Sequence, residues 1–496
     1  MHNGPMLKTL TKLAESYDLS PQHPKAVLDE AAALVADPGI ADPGLVDLRH
    51  LPFCTIDEVQ SKDLDQALFV ETTGTGFCIW YAIADAAHFA PVGSATFTEA
   101  LRRGATYYLP GLVIPMLPKV LSEDLCSLNA QVDRRALVWR MEVHADGAQG
   151  KTELIRAQVR SRAKLDYDGV DEMLRTGKWP SLPDGVQTSL EALRGVGLAR
   201  MQDAEMRDVV RYRRRAIAFG LEPGQGISVW TDLRNEVERY NEQLSLLCNS
   251  VGAHMVQGKE GRAPIFRVHP EPPSARLASL RETIQELCAH RGLDASYQWA
   301  EQDLSDYLHA LPQGPISQAI HRQAMVSNQA STFAAEPGPH HGVGAALYGR
   351  FSAPMREVVG VYLHSEILGA SGVDPLLRDH VIDASNQARK LQKQLDKAVN
   401  LMAIDNLFEH EHRAGAGAMD GTVVGLTRSR VHVQLDEPAV DLKVYAEDLD
   451  FALTPSPGLS TAYDGQGKAR LNLGDRVGVR ATGRDGRRWK LALSAP

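Results

Sequence analysis

The spacing of apolar residues changes near residue 415, and this change constrains the fold more than any other feature of the sequence. From about residue 50 to that point, strand-like segments such as "GFCIWYAIAD" alternate with helical segments such as "NEQLSLLCNSVGAHMVQ", as expected of a mixed α/β domain. Beyond "AGAGAM" there are about five short strands within roughly 75 residues, separated by glycine turns. That density of short strands predicts a small β-barrel.

Two helical patterns precede the mixed region. "MLKTLTKLAESYDL" has apolar residues at intervals of three or four, and "SPQHPKAVLDEAAALVADPG" has early prolines and a Pro-Gly ending. The length of 496 residues also suggests about three domains. We therefore predict an α+β multidomain protein with a helical N-terminal domain over 1–45, a large mixed α/β domain over 46–415 and a barrel domain over 418–496.

The composition places the chain in an ordinary class of globular proteins. It has no run of about 18 apolar residues, and its N-terminus lacks the apolar core of a secretory signal. The five cysteines are scattered without a CxxC pair, which argues against a disulfide framework and a zinc site. The sequence thus predicts a cytoplasmic protein with reduced thiols and no membrane partner.

The net charge of −9 disfavours a nucleic-acid partner at first sight, because polyanions need a positive surface. The charge is segregated, however. Segment 207–215, "RDVVRYRRR", contains five arginines, and segment 468–490 contains eight Lys or Arg against two Asp. Each run could be only a solvated surface, but together they permit a path for a bound anion.

An unusual group of acids precedes an apolar strand in "TIDEVQSKDLDQALFV", residues 55–70. Asp63 and Asp65 project to one face of an extended segment, and a turn could bring Asp57 back towards them. Converging carboxylates repel one another unless a cation lies between them. Oxygen ligands favour Mg²⁺ or Mn²⁺, and such clusters anchor two-metal phosphodiester hydrolysis. The alternative from spacing alone is a solvated acidic turn.

The region from about 50 to 400 resembles the catalytic domain of the ribonuclease II and ribonuclease R family. These proteins are hydrolytic 3′→5′ exoribonucleases that release nucleoside 5′-monophosphates. The resemblance rests on the collinear motifs "TIDEVQSKDLDQAL", "YAIADAAHF", "YYLPGLVIPMLPKVLSEDLCSLN", "FRVHPEP", "AEPGPHHGVG" and "YGRFSAPMREVVGVYLHSEIL". The C-terminal strands, particularly "DGTVVG" and "LGDRVGVR", resemble an OB-fold module that binds single-stranded RNA.

The resemblance implies roles for individual residues. Asp57, Asp63 and Asp65 match family aspartates that hold the metals, and Asp65 matches the one on which cleavage depends most. Arg356 in "APMRE" matches the arginine that contacts the scissile phosphate, so it is expected both to bind RNA and to act in catalysis. Tyr108 in "YYLPG" matches an aromatic that stacks on RNA bases. Taken alone, Arg356 could be a surface ion pair and Tyr108 a packing residue.

Four departures from the family pattern limit this transfer. Gln66 stands at the fourth acidic position, where it could still offer a carbonyl oxygen to a metal. Ala263 replaces a second stacking aromatic, and Gln394 replaces a glutamate. Helical residues stand where the family has a pair of cold-shock domains. Without that pair, we expect that structured RNA with a 3′ overhang is also accepted.

The sequence therefore predicts a monomeric exoribonuclease that uses Mg²⁺, or Mn²⁺, to degrade single-stranded RNA. An alternative is a relative that binds RNA without cutting it, for which Gln66 and Gln394 are the evidence. A DNA-directed metallonuclease has little support beyond the acids.

Overall fold

The chain was analysed as a computed structural model, which describes residues 4–495 apart from 208, 214, 223–225, 301, 370–373, 415–416 and 487, and only the backbone of 411–414. Parts of the arginine-rich segment 207–215 and of the "AGAGAM" joint thus lie outside the described residues. No helix within the described ranges combines the length and the apolar character needed to cross a membrane.

The two N-terminal helices predicted from the sequence are present as α1 (Pro5–Glu15) and α2 (Lys25–Ala36). They pack on the rest of the protein. Leu10 of α1 is buried in a cluster with residues of two later hairpins and the last helix. The Glu30 carboxylate of α2 accepts hydrogen bonds from the amides of Ala95 and Thr96, both at 2.8 Å. These helices therefore belong structurally to the body of the molecule.

A seven-stranded sheet forms the centre of the mixed region, in the order β1-β8-β7-β4-β3-β2-β9. Two pairs, β1–β8 and β2–β9, are parallel and the others antiparallel. Helices and a small hairpin, β5–β6, connect β4 to β7. The elements of this part are β1 (Val46–Asp47), β2 (Cys54–Asp57), β3 (Gln66–Thr73), β4 (Gly76–Ala84), α3 (Ala86–Phe89), α4 (Ala95–Arg103), β5 (Tyr107–Leu109), β6 (Leu112–Ile114), a π-helical turn (Val120–Leu125), β7 (Asp133–His144), β8 (Gln149–Arg160) and β9 (Ala163–Asp166).

Helices cover this sheet and extend towards the C-terminal strands. Most of β4 is buried, because a strand covered on both faces is apolar on both. A side chain on Gly197 of α6 would collide with Tyr240 of α7, so the glycine permits the two helices to pack closely. The elements are α5 (Tyr167–Thr176), α6 (Val186–Met206), β10 (Ala216–Glu222), β11 (Gly226–Asp232), α7 (Glu236–Gln257), β12 (Phe266–Val268), α8 (Ser274–Arg291), α9 (Leu304–Ala310), α10 (Pro315–Ser327), β13 (Thr332–Ala334), α11 (Val358–Leu368) and α12 (Pro375–Ala414).

The C-terminal region consists of short strands, as predicted, in a five-stranded antiparallel sheet ordered β16-β15-β14-β20-β21 and a three-stranded sheet ordered β17-β18-β19. This arrangement is OB-like, although the pairing of the described strands leaves the sheet open instead of closing it into a barrel. The mixed α+β class is confirmed. The strands are β14 (Met419–Thr427), β15 (Arg430–Leu435), β16 (Asp441–Tyr445), β17 (Thr454–Pro455), β18 (Thr461–Tyr463), β19 (Ala469–Asn472), β20 (Arg476–Asp485) and β21 (Arg488–Ser494).

The C-terminal sheet shares its apolar core with helices of the mixed region. Leu280, Ile284 and Leu287 of α8 are buried in the same cluster as Val431 and Val433 of β15. A core shared in this way couples the stability of the two parts.

Candidate active site

The three predicted aspartates lie at the junction of two neighbouring strands of the central sheet. Asp57 ends β2, and Asp65 immediately precedes β3. The loop between them turns back because Asp57 accepts hydrogen bonds from the Glu58 amide and the Ser61 hydroxyl, both at 2.8 Å. The carboxylates of Asp57 and Asp63 are close enough to repel each other, and this repulsion adds to burial in raising the pKa of Asp63.

Ser127 fixes the second half of this loop. Its hydroxyl donates to the Lys62 carbonyl at 2.6 Å and accepts from the Leu64 amide at 3.0 Å. The amide of Leu128 donates to the Leu64 carbonyl at 3.0 Å. The "LCSLN" segment, part of the longest motif in the sequence, thus positions the loop that carries Asp63 and Asp65.

The Asp65 side chain is only 2% exposed and is paired with Arg356. One carboxylate oxygen lies 2.7 Å from Arg356 Nε, and the other accepts from the Met355 amide at 2.9 Å. The Arg356 side chain remains 40% exposed. Its backbone is held by the Thr106 amide, which donates to the Arg356 carbonyl at 2.9 Å. The structure therefore brings together the two residues assigned to catalysis.

The protonation of Asp65 reflects opposing influences. Burial raises its pKa to about 6, and the Asp63 carboxylate adds to the rise. The Arg356 guanidinium and the Met355 amide oppose it. A cation placed beside this carboxylate would favour its ionised form.

Tyr108 lies at the edge of the same site on β5. The side chain is 44% exposed, and its hydroxyl donates to Asp63 at 3.4 Å. The Gln392 side chain holds the tyrosine backbone from both sides: its carbonyl accepts from the Tyr108 amide at 3.1 Å, and its amide donates to the Tyr108 carbonyl at 3.0 Å. Nothing in the sequence pattern indicated this role of Gln392, because α12 lies far along the chain.

Gln66 follows Asp65 in the extended chain, so its side chain points to the opposite face of the sheet. Its amide donates to the Ser352 carbonyl at 2.6 Å. Its carbonyl accepts from the Tyr81 hydroxyl and, at 3.4 Å, from Ser245. Both ends of the amide are thus used inside the protein, which does not favour the expectation that Gln66 offers an oxygen to a metal.

The other two residue departures are Ala263 and Gln394. Ala263 is buried, its amide donates to Glu366 at 2.6 Å, and its carbonyl accepts from Tyr362 at 2.8 Å. Gln394 is exposed on α12.

The donor set suits a hard divalent cation, since it consists of carboxylate oxygens. Even so, among the described residues no three His, Cys, Asp or Glu side chains are arranged closely enough to hold a metal ion. Asp65 directs its oxygens at Arg356 and at the Met355 amide. The chemistry therefore fits a metal, whereas the side chains are not assembled into a complete cage.

Comparisons with known proteins relate this site to a family. The RNB domain model matches residues 45–370. Ribonuclease R of Vibrio cholerae is 30% identical over 358 residues, which cover 71% of this chain and 43% of that protein. Exoribonuclease 2 of Erwinia tasmaniensis is 29% identical over 411 residues, covering 79% and 61%. The chain thus spans about half the length of the curated relatives it matches.

The fold has a close match among solved structures. The structure of Mycoplasma genitalium RNase R in complex with ribose-methylated single-stranded RNA superposes with a TM-score of 0.88 at 22% identity, covering 99% of this chain and 78% of that one. The RNB domain model matches well over half of the residues of the present chain. The chain therefore belongs to the RNB domain family, the family of ribonuclease R and exoribonuclease 2.

Proposed function

We propose that this protein is a hydrolytic exoribonuclease that degrades RNA from its 3′ end and releases nucleoside 5′-monophosphates. The observation that carries the proposal is the buried Asp65 carboxylate, paired with a partly exposed arginine beside an exposed tyrosine. Relatives named ribonuclease R and exoribonuclease 2 support the same activity.

Asp57, Asp63 and Asp65 would hold Mg²⁺, or Mn²⁺ in its place. Bound there, the metal would supply an activated water and would neutralise charge on the phosphate. We leave Gln66 out of this ligand set because both ends of its amide are occupied within the protein. For Asp65 to serve as a ligand, its carboxylate must share its charge between the metal and Arg356.

Arg356 is proposed to hold the scissile phosphate. Asp65 engages its Nε and the Tyr108 hydroxyl also interacts with the guanidinium, which leaves further N–H groups of the arginine for other partners. A planar guanidinium suits two phosphate oxygens, and its charge is most valuable where negative charge develops in the transition state. The ion pair with Asp65 keeps the arginine oriented towards the site before substrate arrives.

Tyr108 is proposed to stack on a base near the 3′ end. Its ring is exposed, its backbone is fixed by Gln392 and its hydroxyl contacts Asp63, so the side chain is already restrained before a base binds. Base–aromatic stacking is tolerant of sequence, as a general exoribonuclease requires. We further propose that the OB-like C-terminal strands bind RNA, that a 3′ overhang lets structured RNA enter, and that the protein acts as a monomer.

A second candidate function is RNA binding without hydrolysis. It is favoured by the lack of an assembled three-carboxylate metal group among the described residues and by the use of Gln66 in structural hydrogen bonds.

One assay separates these functions. The full chain is incubated with uniformly labelled single-stranded RNA or DNA of equal sequence, with Mg²⁺, with Mn²⁺ or with a chelator, and the products are identified by chromatography. Exonucleolytic release of nucleoside 5′-monophosphates from RNA, dependent on a divalent ion, supports the proposal. Binding without products at any ion concentration would favour the second candidate.

A further inference from the structure

Asn249 is a polar residue in the buried middle of helix α7. Its neighbours Leu247, Cys248 and Val251 are buried apolar residues, and Asn249 itself is 0% exposed. Burying an amide costs free energy unless its N–H groups and its oxygen are hydrogen-bonded. The partners that satisfy this amide therefore show what the residue holds in place.

The Asn249 side chain directs all of its hydrogen bonds at one segment of the chain. Its Oδ1 accepts from the amides of Phe351 at 2.7 Å and Ser352 at 3.1 Å. Its Nδ2 donates to the Ser352 hydroxyl at 3.0 Å and to the Tyr348 hydroxyl at 3.1 Å. These bonds use both N–H groups and both acceptor positions of the amide. The Asn249 carbonyl also accepts from the Gly349 amide at 3.1 Å.

Segment 348–356 needs this support because it is buried without a regular structure of its own. Every residue of the segment is described, and none belongs to a helix or a strand. Phe351, Ser352 and Met355 are buried almost completely. Buried backbone groups that lack a partner in a helix or a sheet must find one elsewhere. In this segment, the Asn249 side chain supplies the acceptor for two consecutive amides.

Two further side chains hold the same segment from other directions. The Gln66 amide of β3 donates to the Ser352 carbonyl at 2.6 Å, and Nε2 of His364 in α11 donates to the Phe351 carbonyl at 2.8 Å. The Phe351 ring also lies against Gly252 of α7, where a Cβ atom would come within 2.5 Å of the ring. The segment is thus fixed by three different elements, and Gln66, a departure from the family pattern, takes part in this support.

The held part of the segment leads directly to the residues that contact Asp65. Ala353 follows Ser352, and its carbonyl accepts from the Arg356 amide at 3.2 Å, which closes a turn. This turn directs the Met355 amide and the Arg356 Nε at the two carboxylate oxygens of Asp65, at 2.9 Å and 2.7 Å. The alignment of these groups on Asp65 therefore depends on where Ser352 is held.

From these contacts we infer that Asn249 is a positioning residue for the cleavage reaction. It acts through segment 348–356, whose fixed course aligns the Arg356 guanidinium with Asp65 before RNA arrives. Misplacing a reacting group by about 1 Å can lower a rate by about 10²-fold, so a buried amide that sets this course matters for the reaction rate. The inference rests on the proposed function and adds to it a residue that sets the geometry of the site.

The test measures cleavage and binding separately in the full chain. Asn249→Ala leaves the two amides of the segment without their acceptor. Ser189→Ala is the matched control, because Ser189 is also 0% exposed and its hydroxyl accepts from a buried backbone amide, that of Val70 in β3, at 2.9 Å. Single-turnover cleavage rates at saturating RNA are compared with dissociation constants measured in an Asp65→Asn background, where bound RNA is not cut.

Asn249→Ala should lower the cleavage rate by about 10- to 100-fold, because the guanidinium is no longer held in line with the carboxylate. The dissociation constant should change by less than about twofold, because the residue acts on the reaction and not on the grip on RNA. Ser189→Ala should leave both quantities within about twofold of the parent. Both variants should lower the melting temperature, since each leaves a buried donor unpaired.

A double variant tests whether Asn249 acts through Arg356. In an Arg356→Ala background, Asn249→Ala should lower the rate by less than about threefold further, because residues that act as a unit have non-additive effects. Asn249→Ser is used in the same way if Asn249→Ala does not fold. Its hydroxyl is too short to reach the two amides, and it removes less of the side chain, so the same pattern of rate, affinity and non-additivity is expected.

Three results would overturn this inference and leave the proposed function standing. These are an unchanged cleavage rate in a folded Asn249 variant, equal losses of rate and affinity, and a loss of rate in Ser189→Ala as large as that in Asn249→Ala. Full additivity with Arg356→Ala would also overturn it, because Asn249 would then not act through the arginine. A parent protein that cuts no RNA would overturn the proposed function and this inference with it.

Discussion

Asp65 and Arg356 lie 291 positions apart in the chain and form a 2.7 Å ion pair at the centre of the site. The carboxylate is almost completely buried, whereas the guanidinium is partly exposed. The pair therefore joins a group suited to a cation with a group suited to a phosphate. Each can be tested by its own substitution, and both substitutions should depress cleavage more than RNA binding.

Asp65→Asn should abolish hydrolysis while leaving RNA affinity nearly intact. The amide preserves the shape of the side chain and removes the charge that a metal ligand needs. The measurement is single-turnover cleavage together with equilibrium binding. Asp133→Asn is the matched control, because Asp133 also forms an ion pair, with Arg160 at 2.6 Å, outside the site. More than about a tenth of the parent rate in Asp65→Asn would refute the assignment.

Arg356→Ala should depress cleavage by about 10²-fold or more, and binding much less, if the arginine acts on the transition state. Arg356→Lys should recover only part of the loss, because an ammonium group cannot reproduce the planar contact. The measurements are the cleavage rate at saturating RNA and the dissociation constant for the same RNA, which together show whether cleavage falls more than binding. A loss confined to affinity would make Arg356 a binding residue only.

The cleavage rate should rise with pH through about 6, because burial raises the pKa of Asp65 to about 6 and only its ionised form can bind a metal. Metal binding competes with the proton, so more Mg²⁺ should move the rise to lower pH. Arg356→Ala should move it to higher pH, because the guanidinium opposes the raised pKa. A rate independent of pH between about 5 and 7 would contradict this assignment.

The raised pKa of Asp65 also makes the stability of the folded protein depend on pH. The folded state holds the Asp65 proton up to about pH 6, whereas the unfolded chain releases it near about pH 4. This group's contribution to stability is therefore present below about pH 4 and is lost as the pH rises to about 6. Melting temperatures of the parent and of Asp65→Asn, compared across that range without metal, should diverge in this direction.

Gln66→Asp should destabilise the protein and should not lower its Mg²⁺ requirement. A carboxylate cannot donate to the Ser352 carbonyl, which accepts from the Gln66 amide at 2.6 Å, and it would set a negative charge against that carbonyl oxygen. Loss of such a bond costs about 1–3 kcal/mol. Thermal unfolding and an Mg²⁺ titration of the rate measure the two effects. A lower half-saturating Mg²⁺ concentration would instead support Gln66 as a residue near the metal.

Glu286 of α8 should prove important for attaching the C-terminal strands. Its carboxylate accepts from the hydroxyls of Ser456 and Ser460 and from the Gly458 amide at 2.9 Å. Glu286→Ala should increase hydrogen exchange of residues 456–461, since buried donors lose their acceptor. Glu282→Ala, an exposed position on the same helix, is the control. Equal exchange in the two variants would show that the contact contributes little.

The sequence by itself determined the local features of this protein. Periodicity indicated the N-terminal helices and the short C-terminal strands, because burial on one face of an element imposes a repeat along the chain. The motif around Asp57, Asp63 and Asp65 indicated acids at a strand edge, since their spacing is contained within one turn and one strand.

Only the tertiary structure decided which groups these residues contact. Three contacts join segments that are distant in the chain. Asp65 pairs with Arg356, Gln392 holds the backbone of Tyr108, and the Gln66 amide donates to the Ser352 carbonyl. The C-terminal strands likewise share a core with α8, although their pattern resembled that of a separate domain. Hydrogen bonds and burial depend on the packing of distant elements, and that packing has no counterpart in the local spacing of residues.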